Sequence, residues 1–261
     1  MLKSLAVALV VVLMTSCTTL PTPNDAARAA IAPTGKLRAG MNLSNTLFTN
    51  KDPASGELRG VSVDLMRELA SRLGVAVEFV VYPTPGDVAD MSDKDAWDVA
   101  VLAIEQARAQ TIAFSPPMTE IEASYVVPKD SPLQTSAQVD AAGIRIAVAE
   151  KAGYELFLAR TLRNATLVRA KGMDGSMAVF NERRADALAA LKPALLDVMD
   201  KLPNSRMLDR PFMTVNHGLG TPRNRTAAAE YIKTFIEEMN ASGFIARSIQ
   251  RNGVKGLAAI K

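Results

Sequence analysis

Residues 56–82, GELRGVSVDLMRELASRLGVAVEFVVY, read as a helix feeding directly into a strand. Val61, Leu65, Met66, Leu69, Ala70 and Leu73 recur at helical spacing and give the helix one apolar face. Ser62 is placed to cap its N-terminus, Asp64 lies in the first turn where the helix dipole favours an acid, and Gly74 ends it. Val75 to Tyr82 is β-branched and aromatic, the composition of a strand.

Outward from this unit the same alternation continues. Leu37 to Asn42 reads as a short strand running into a polar loop of Ser44, Asn45, Thr46 and Asn50, with turns at Asp52-Pro53 and Ser55-Gly56. Downstream come a short helix around Asp87 to Met91, a buried strand Asp98 to Ile104, and a strand Tyr125 to Val127 ended by Pro128. A second set follows: strands at Ile144–Val148, Ala165–Val168 and Ala185–Leu191, interleaved with helices at Tyr154–Leu162, Gly172–Glu182 and Pro193–Met199. The chain returns through Phe212 to Thr221 and closes with a helix whose Ala228, Tyr231, Ile232, Phe235, Ile236 and Met239 share a face. Gly243 breaks it, and a last short helix runs to about Arg251. Strands alternating with helices of about ten residues predict an α/β protein with parallel sheets covered by helices.

The composition narrows the function. The chain has 261 residues, 48% hydrophobic and 22% charged, enough for one large or two small domains with a real core. One cysteine and one histidine exclude an internal disulfide and a Cys/His zinc site. Thirty basic against 27 acidic residues give a formal charge of +3, but the longest basic run is Arg183-Arg184, so the concentrated stripe of a nucleic-acid binder is missing.

Motifs for phosphate and nucleophilic chemistry fail on inspection. Gly35-Lys36 lacks the partners of a P-loop. His217-Gly218-Leu219-Gly220 begins like a dinucleotide fingerprint, but Arg223 stands where the third glycine belongs. There is no GxSxG elbow, His217 is the only histidine a triad could use, and it reads as structural. The pairs Glu120/Glu122 and Glu237/Glu238 read as solvated surface.

The N-terminus reads as an address. Lys3 precedes an unbroken apolar run of ten residues, Leu5 to Met14, too short for a spanning helix and right for a secretory signal over residues 1–16. Met14-Thr15-Ser16-Cys17 resembles the lipobox of bacterial lipoproteins, which implies lipidation of Cys17; ordinary cleavage nearby would instead leave a soluble protein. Residues 17–35, rich in proline and small polar residues and then in alanine, read as a tether.

From Leu37 to about Arg251 the order of segments is similar to the bacterial extracellular solute-binding proteins of family 3. Residues 56–65 resemble the family's GxxxGFDVDL, with Asp64 kept. Trp97-Asp98-Val99 matches YDV, and Arg108 with Ile112-Ala113-Phe114-Ser115-Pro116-Pro117 resembles the arginine and VDFSDPY stretch. Val126 to Ser131 resembles VVRKDS, Arg183 to Ala187 matches GRVDA, and Ala241-Ser242-Gly243 resembles the last turn. The resemblance implies a two-lobed type 2 periplasmic binding fold: two hinge-linked parallel or mixed sheets with covering helices. Lobe one would comprise residues 36–125 and 219–261, and lobe two 126–218, linked near Tyr125–Val127 and Thr214–Gly220. It further implies a monomeric, non-enzymatic, cofactor-free periplasmic receptor that delivers a small carboxylate-bearing solute to an ABC permease, touching the membrane only through a lipid anchor. A cyclohexadienyl-dehydratase-like lyase, with Glu105 as its cleft acid, and a periplasmic sensor module are the alternatives on this fold.

The resemblance also places a site. Arg108 stands where the family's arginine clamps a ligand carboxylate, a task suited to the guanidinium fork. Ala103 and Glu105 occupy a shortened version of the loop before it. Ser44, Asn45 and Phe48 follow the first strand, where the family places polar or aromatic contacts. Lys151-Ala152-Gly153-Tyr154 resembles the KGTT loop, whose helix-start amides favour an anion. Leu191 falls where amino-acid receptors carry the aspartate that binds the α-ammonium. A leucine cannot accept that hydrogen bond. Either Glu105 takes over the role, or the ligand is not an ordinary zwitterion and Lys192 meets a second anionic group.

Overall fold

The computed structural model describes residues 25–260. The expected signal peptide over residues 1–16 and the expected lipidation at Cys17 lie outside the described residues. The tether reading of 17–35 needs correction where it is described. Asp25–Ile31 forms α1, which buries Ala27 and Ile31, one turn apart, against the long C-terminal helix.

The first half of the chain holds β1 (Lys36–Asn42), β2 (Asn50–Lys51), β3 (Leu58–Arg59), α2 (Val61–Leu73), β4 (Ala76–Tyr82), α3 (Pro85–Asp90), β5 (Val99–Ala103), β6 (Ile112–Phe114) and β7 (Thr119–Pro128). The second half holds β8 (Arg145–Ala149), α4 (Gly153–Thr161), β9 (Thr166–Ala170), α5 (Gly172–Asn181), β10 (Ala187–Leu191), α6 (Lys192–Val198), β11 (Ser205–Met207), β12 (Met213–Pro222), α7 (Thr226–Ala241), α8 (Phe244–Arg251) and β13 (Ala258–Ala259).

The strand order is β4-β1-β5-β12-β7-β10-β8-β9. Each lobe contributes a parallel trio, β4-β1-β5 in one and β9-β8-β10 in the other. The long strands β12 and β7 run antiparallel to their neighbours and join the trios edge to edge. The expected crossings are therefore there but longer than the sequence suggested: ten residues each, paired with one another from Met213↔Ala123 to His217↔Thr119.

The lobes share one device for holding the trio in register. Asp98, just before β5, takes the Arg38 backbone N–H of β1 on its carboxylate at 2.8 Å and returns its own N–H to the Arg38 carbonyl at 2.8 Å. Asp186, just before β10, does the same with Arg145 of β8, again at 2.8 Å both ways. Arg38 and Arg225 also neutralise the fully buried Asp98, through contacts of 2.7 and 2.6 Å. Family-like motifs on Asp98 and Asp186 are thus structural. So is Asp64, which accepts from Ser248 Oγ at 2.6 Å, Arg251 at 2.7 Å and Asn252 at 2.8 Å and ties α2 to α8.

Lobe one has apolar cores on both sheet faces. Leu65, Met66 and Leu69 of α2 pack with Ile232, Phe235 and Ile236 of α7, and Trp97, Val88 and Leu102 fill the other side. Lobe two has its own core of Ile146, Val148, Leu158, Phe180 and Leu188. Truncating any fully buried large side chain among these costs about 2–5 kcal/mol.

One local expectation is overturned. Ser62 does not cap α2; the helix starts at Val61 and Ser62 is buried inside its first turn. The cap position is Gly60, at φ 126°, because a Cβ there would lie 2.3 Å from the Phe48 carbonyl oxygen.

Candidate functional site

That close approach is the first step in building the site. The Phe48 carbonyl accepts the Ser62 N–H at 3.1 Å, satisfying one of the amides that a helix N-terminus leaves without an internal partner. The loop between β1 and β2 is tied further by the Phe48 and Thr49 N–H groups on the Asn45 carbonyl, 3.1 Å each, and by Ser44 on Asn42 Oδ1. Its Phe48 ring is thereby set over His217 of β12, centroids 4.7 Å apart and planes inclined at 40°.

Phe48 and His217 line a cleft cavity of about 970 Å³, counting its open mouth, between the lobes. Lobe one contributes Ser44, Asn45, Ala103 and Arg108. Lobe two contributes Ala152, Gly153, Tyr154 and Leu191. The structure therefore gathers nine of the eleven site residues expected from sequence around one cavity. Glu105 and Lys192 do not line it. The buried Glu105 carboxylate accepts from Arg160 Nη1 at 2.8 Å, and Lys192 is paired with Glu122 at 2.5 Å. Neither is placed to meet an ammonium or a second anion, and the acid required by the lyase alternative is engaged elsewhere. Among the described residues, the only acid lining the cavity is Glu150, which is exposed.

Arg108 sits in a single 3₁₀ turn just beyond β5, with only 5% of its surface exposed. Its Nη1 donates to the Ala103 carbonyl at 3.1 Å and its Nη2 to the Lys151 carbonyl, in the other lobe, at 2.8 Å. Two of its five N–H donors are thus engaged by main chain, while Nε is buried with no partner. Burial lowers its pKa to about 10, with Glu105 opposing, so the group stays cationic at neutral pH.

The same segment of lobe two is shaped for contact across the cleft. Lys151 takes a positive φ of 55°, unusual for a residue with a side chain, which goes with its carbonyl meeting Arg108. Its ammonium pairs with Asp90 at the end of α3. Gly153 opens α4 with no side-chain cap, so the first amides of the helix have no internal acceptor beside the cavity. A Cβ on Gly153 would come within 2.6 Å of the Ala103 Cβ. Glycine is what lets α4 close onto β5.

His217 is the site residue that sequence reasoning missed. It is 5% exposed, its Nδ1 has no partner, and burial together with the Arg108 charge pushes its pKa down to about 3, against the opposing pull of a hydrogen bond to the Val215 backbone. A solitary histidine in a strand carries no motif. The only usable signal was its place on the return strand, in the segment identified as a crossing between lobes.

Two α/β lobes joined by two crossing strands, with a cavity walled by both, define a two-lobed binding protein. The chain matches the bacterial extracellular solute-binding proteins, family 3, over residues 37–254, and it belongs to that family. It is 26% identical to the histidine-binding periplasmic protein of Salmonella typhimurium over 253 residues, 93% of this chain and 94% of that one. It is 21% identical to the glutamine-binding protein GlnH of an ABC transporter of Bacillus subtilis, over 82% of this chain and 80% of that one. Both are named as binding proteins. In fold it resembles holo ArgBP from T. maritima, with a TM-score of 0.67, 23% identity, and coverage of 80% of this chain and 92% of that one.

Proposed function

We propose that this protein captures a small carboxylate-bearing solute outside the cytoplasm and delivers it to the permease of an ABC importer. The observation that carries the reading is Arg108, a buried cation at the cavity wall with an unpartnered Nε. An anion there gains a charge-assisted hydrogen bond in a site shielded from water. The uncapped start of α4 adds amide donors from the opposite lobe. With the lobes taken as 36–125 with 219–261, and 126–218, the ligand would be gripped from both sides and enclosed by hinge closure at β7 and β12. The lobes already meet through Arg108 on Lys151, Glu105 on Arg160 and Asp90 on Lys151, so closure has its own polar contacts.

The role of Leu191 separates this protein from receptors for simple zwitterions. Leu191 lines the cavity where the resemblance places an ammonium acceptor, and Glu105 does not replace it. Burying an ammonium without a partner costs several kcal/mol. A thermal-shift screen of small carboxylates, each with its α-amino counterpart, tests the reading, with product analysis on every hit. Stabilisation by carboxylates without conversion is expected. Turnover of a hit, or stabilisation only by uncharged solutes, would overturn it.

A further inference from the structure

Four buried side-chain polar atoms among the described residues have no hydrogen-bond partner, and two of them, Arg108 Nε and His217 Nδ1, belong to residues that line the same cavity. The other two, on Thr119 and Asn240, belong to residues that do not line it. Buried polar atoms are almost always paired, so two orphans on residues that line one cavity point to a ligand that pairs them. The two groups are neighbours through the backbone. His217 pairs with Ala103 across β12 and β5, and the Ala103 carbonyl holds Arg108 Nη1 at 3.1 Å.

The chemistry each orphan asks for differs. Arg108 offers donors and positive charge, which suits a carboxylate. His217 is kept neutral by burial and by the Arg108 charge beside it, so it is no counter-charge for a second anion. Its Nδ1 needs one neutral partner. A hydroxyl both donates and accepts, and so serves Nδ1 in either imidazole tautomer. An ammonium would face Leu191 and the exposed Glu150 at the rim, where solvent screens the charge.

Resting on the carboxylate reading above, we propose that His217 is a ligand-contact residue and that the solute is a hydroxycarboxylate, its carboxylate on Arg108 and a hydroxyl on His217 Nδ1.

Calorimetric titration of matched triples tests this: lactate, propionate and alanine; malate, succinate and aspartate; 3-phenyllactate, 3-phenylpropionate and phenylalanine. In at least one triple the hydroxy acid is expected to bind wild type at least tenfold tighter than both counterparts. His217→Phe should erase that advantage. His217→Asn, whose amide lies near the Nδ1 position, should keep most of it. As a check in the unmodified protein, the imidazole 15N signal of the only histidine should shift with the hydroxy acid and much less with its deoxy counterpart. If the deoxy or amino acids bind as well, or the hydroxy advantage survives in His217→Phe, the assignment of His217 fails while the carboxylate reading stands. If no member of any triple binds, both fall.

Discussion

The single histidine gives a stability signature that can be worked out in advance. In the unfolded chain its pKa is about 6.5. In the folded protein burial, then the Arg108 charge, pushes it down to about 3. The folded state therefore favours the neutral ring. The associated stability is fully present above pH 6.5 and is lost as the pH falls towards 3, because the unfolded chain takes up the proton first. One proton is worth about 1.4 kcal/mol per pH unit, so going from pH 7.5 to pH 5.0 removes about 2 kcal/mol through this residue alone. Urea denaturation of wild type and His217→Gln at both pH values isolates the effect, since the carboxylates titrate alike in the two proteins. Wild type should lose about 2 kcal/mol more than the variant on acidification. NMR titration of the imidazole in untagged protein reads the pKa directly. Equal pH dependence in the two proteins, or a folded-state pKa near 6.5, would refute the burial argument.

Other perturbations probe the cleft contacts. Gly153→Ala places a Cβ 2.6 Å from that of Ala103 and should oppose closure by about 1–3 kcal/mol, weakening ligand binding roughly 5- to 150-fold in calorimetry while leaving urea unfolding nearly unchanged. Leu191→Asp supplies an ammonium acceptor at the cavity wall and should raise affinity for α-amino acids over their deamino counterparts; a titration panel showing no such gain would argue against the placement of Leu191. Arg160→Ala leaves the buried Glu105 carboxylate without its cation and should shift small-angle scattering towards a more open form, in which water can reach that carboxylate; unchanged scattering would argue against a role for this pair in holding the lobes together.

The fold was legible because its elements are locally consistent. The apolar face of α2, the β-branched run of β4 and the glycine after α2 all point the same way, and helix and strand appear where the periodicity put them. What escaped were features fixed by distant chain. Ser62 has the side chain of a cap, but the Phe48 carbonyl claims the space that only Gly60 allows. The two-residue strands β2, β3 and β13 carry no period at all, and α1 looked like part of a spacer until α7 supplied the surface it covers. At the site, Arg108, Gly153 and Leu191 were found through the order of family-like segments. The contact of Arg108 with the Lys151 carbonyl, the pairing of Glu105 with Arg160 and the orphaned Nδ1 of His217 each join residues from separate segments of the chain. No local pattern encodes them.

The most direct test of the central claim, a carboxylate held by Arg108 in the cleft, is calorimetry with a carboxylate hit and its primary-amide counterpart on wild type and Arg108→Ala. Leaving a buried carboxylate without its cation costs about 2–5 kcal/mol. The carboxylate should therefore bind wild type at least thirtyfold tighter than the amide, and Arg108→Ala should remove that preference with the protein still folded. Equal binding of amide and carboxylate by wild type, or an unchanged carboxylate affinity in Arg108→Ala, would contradict it.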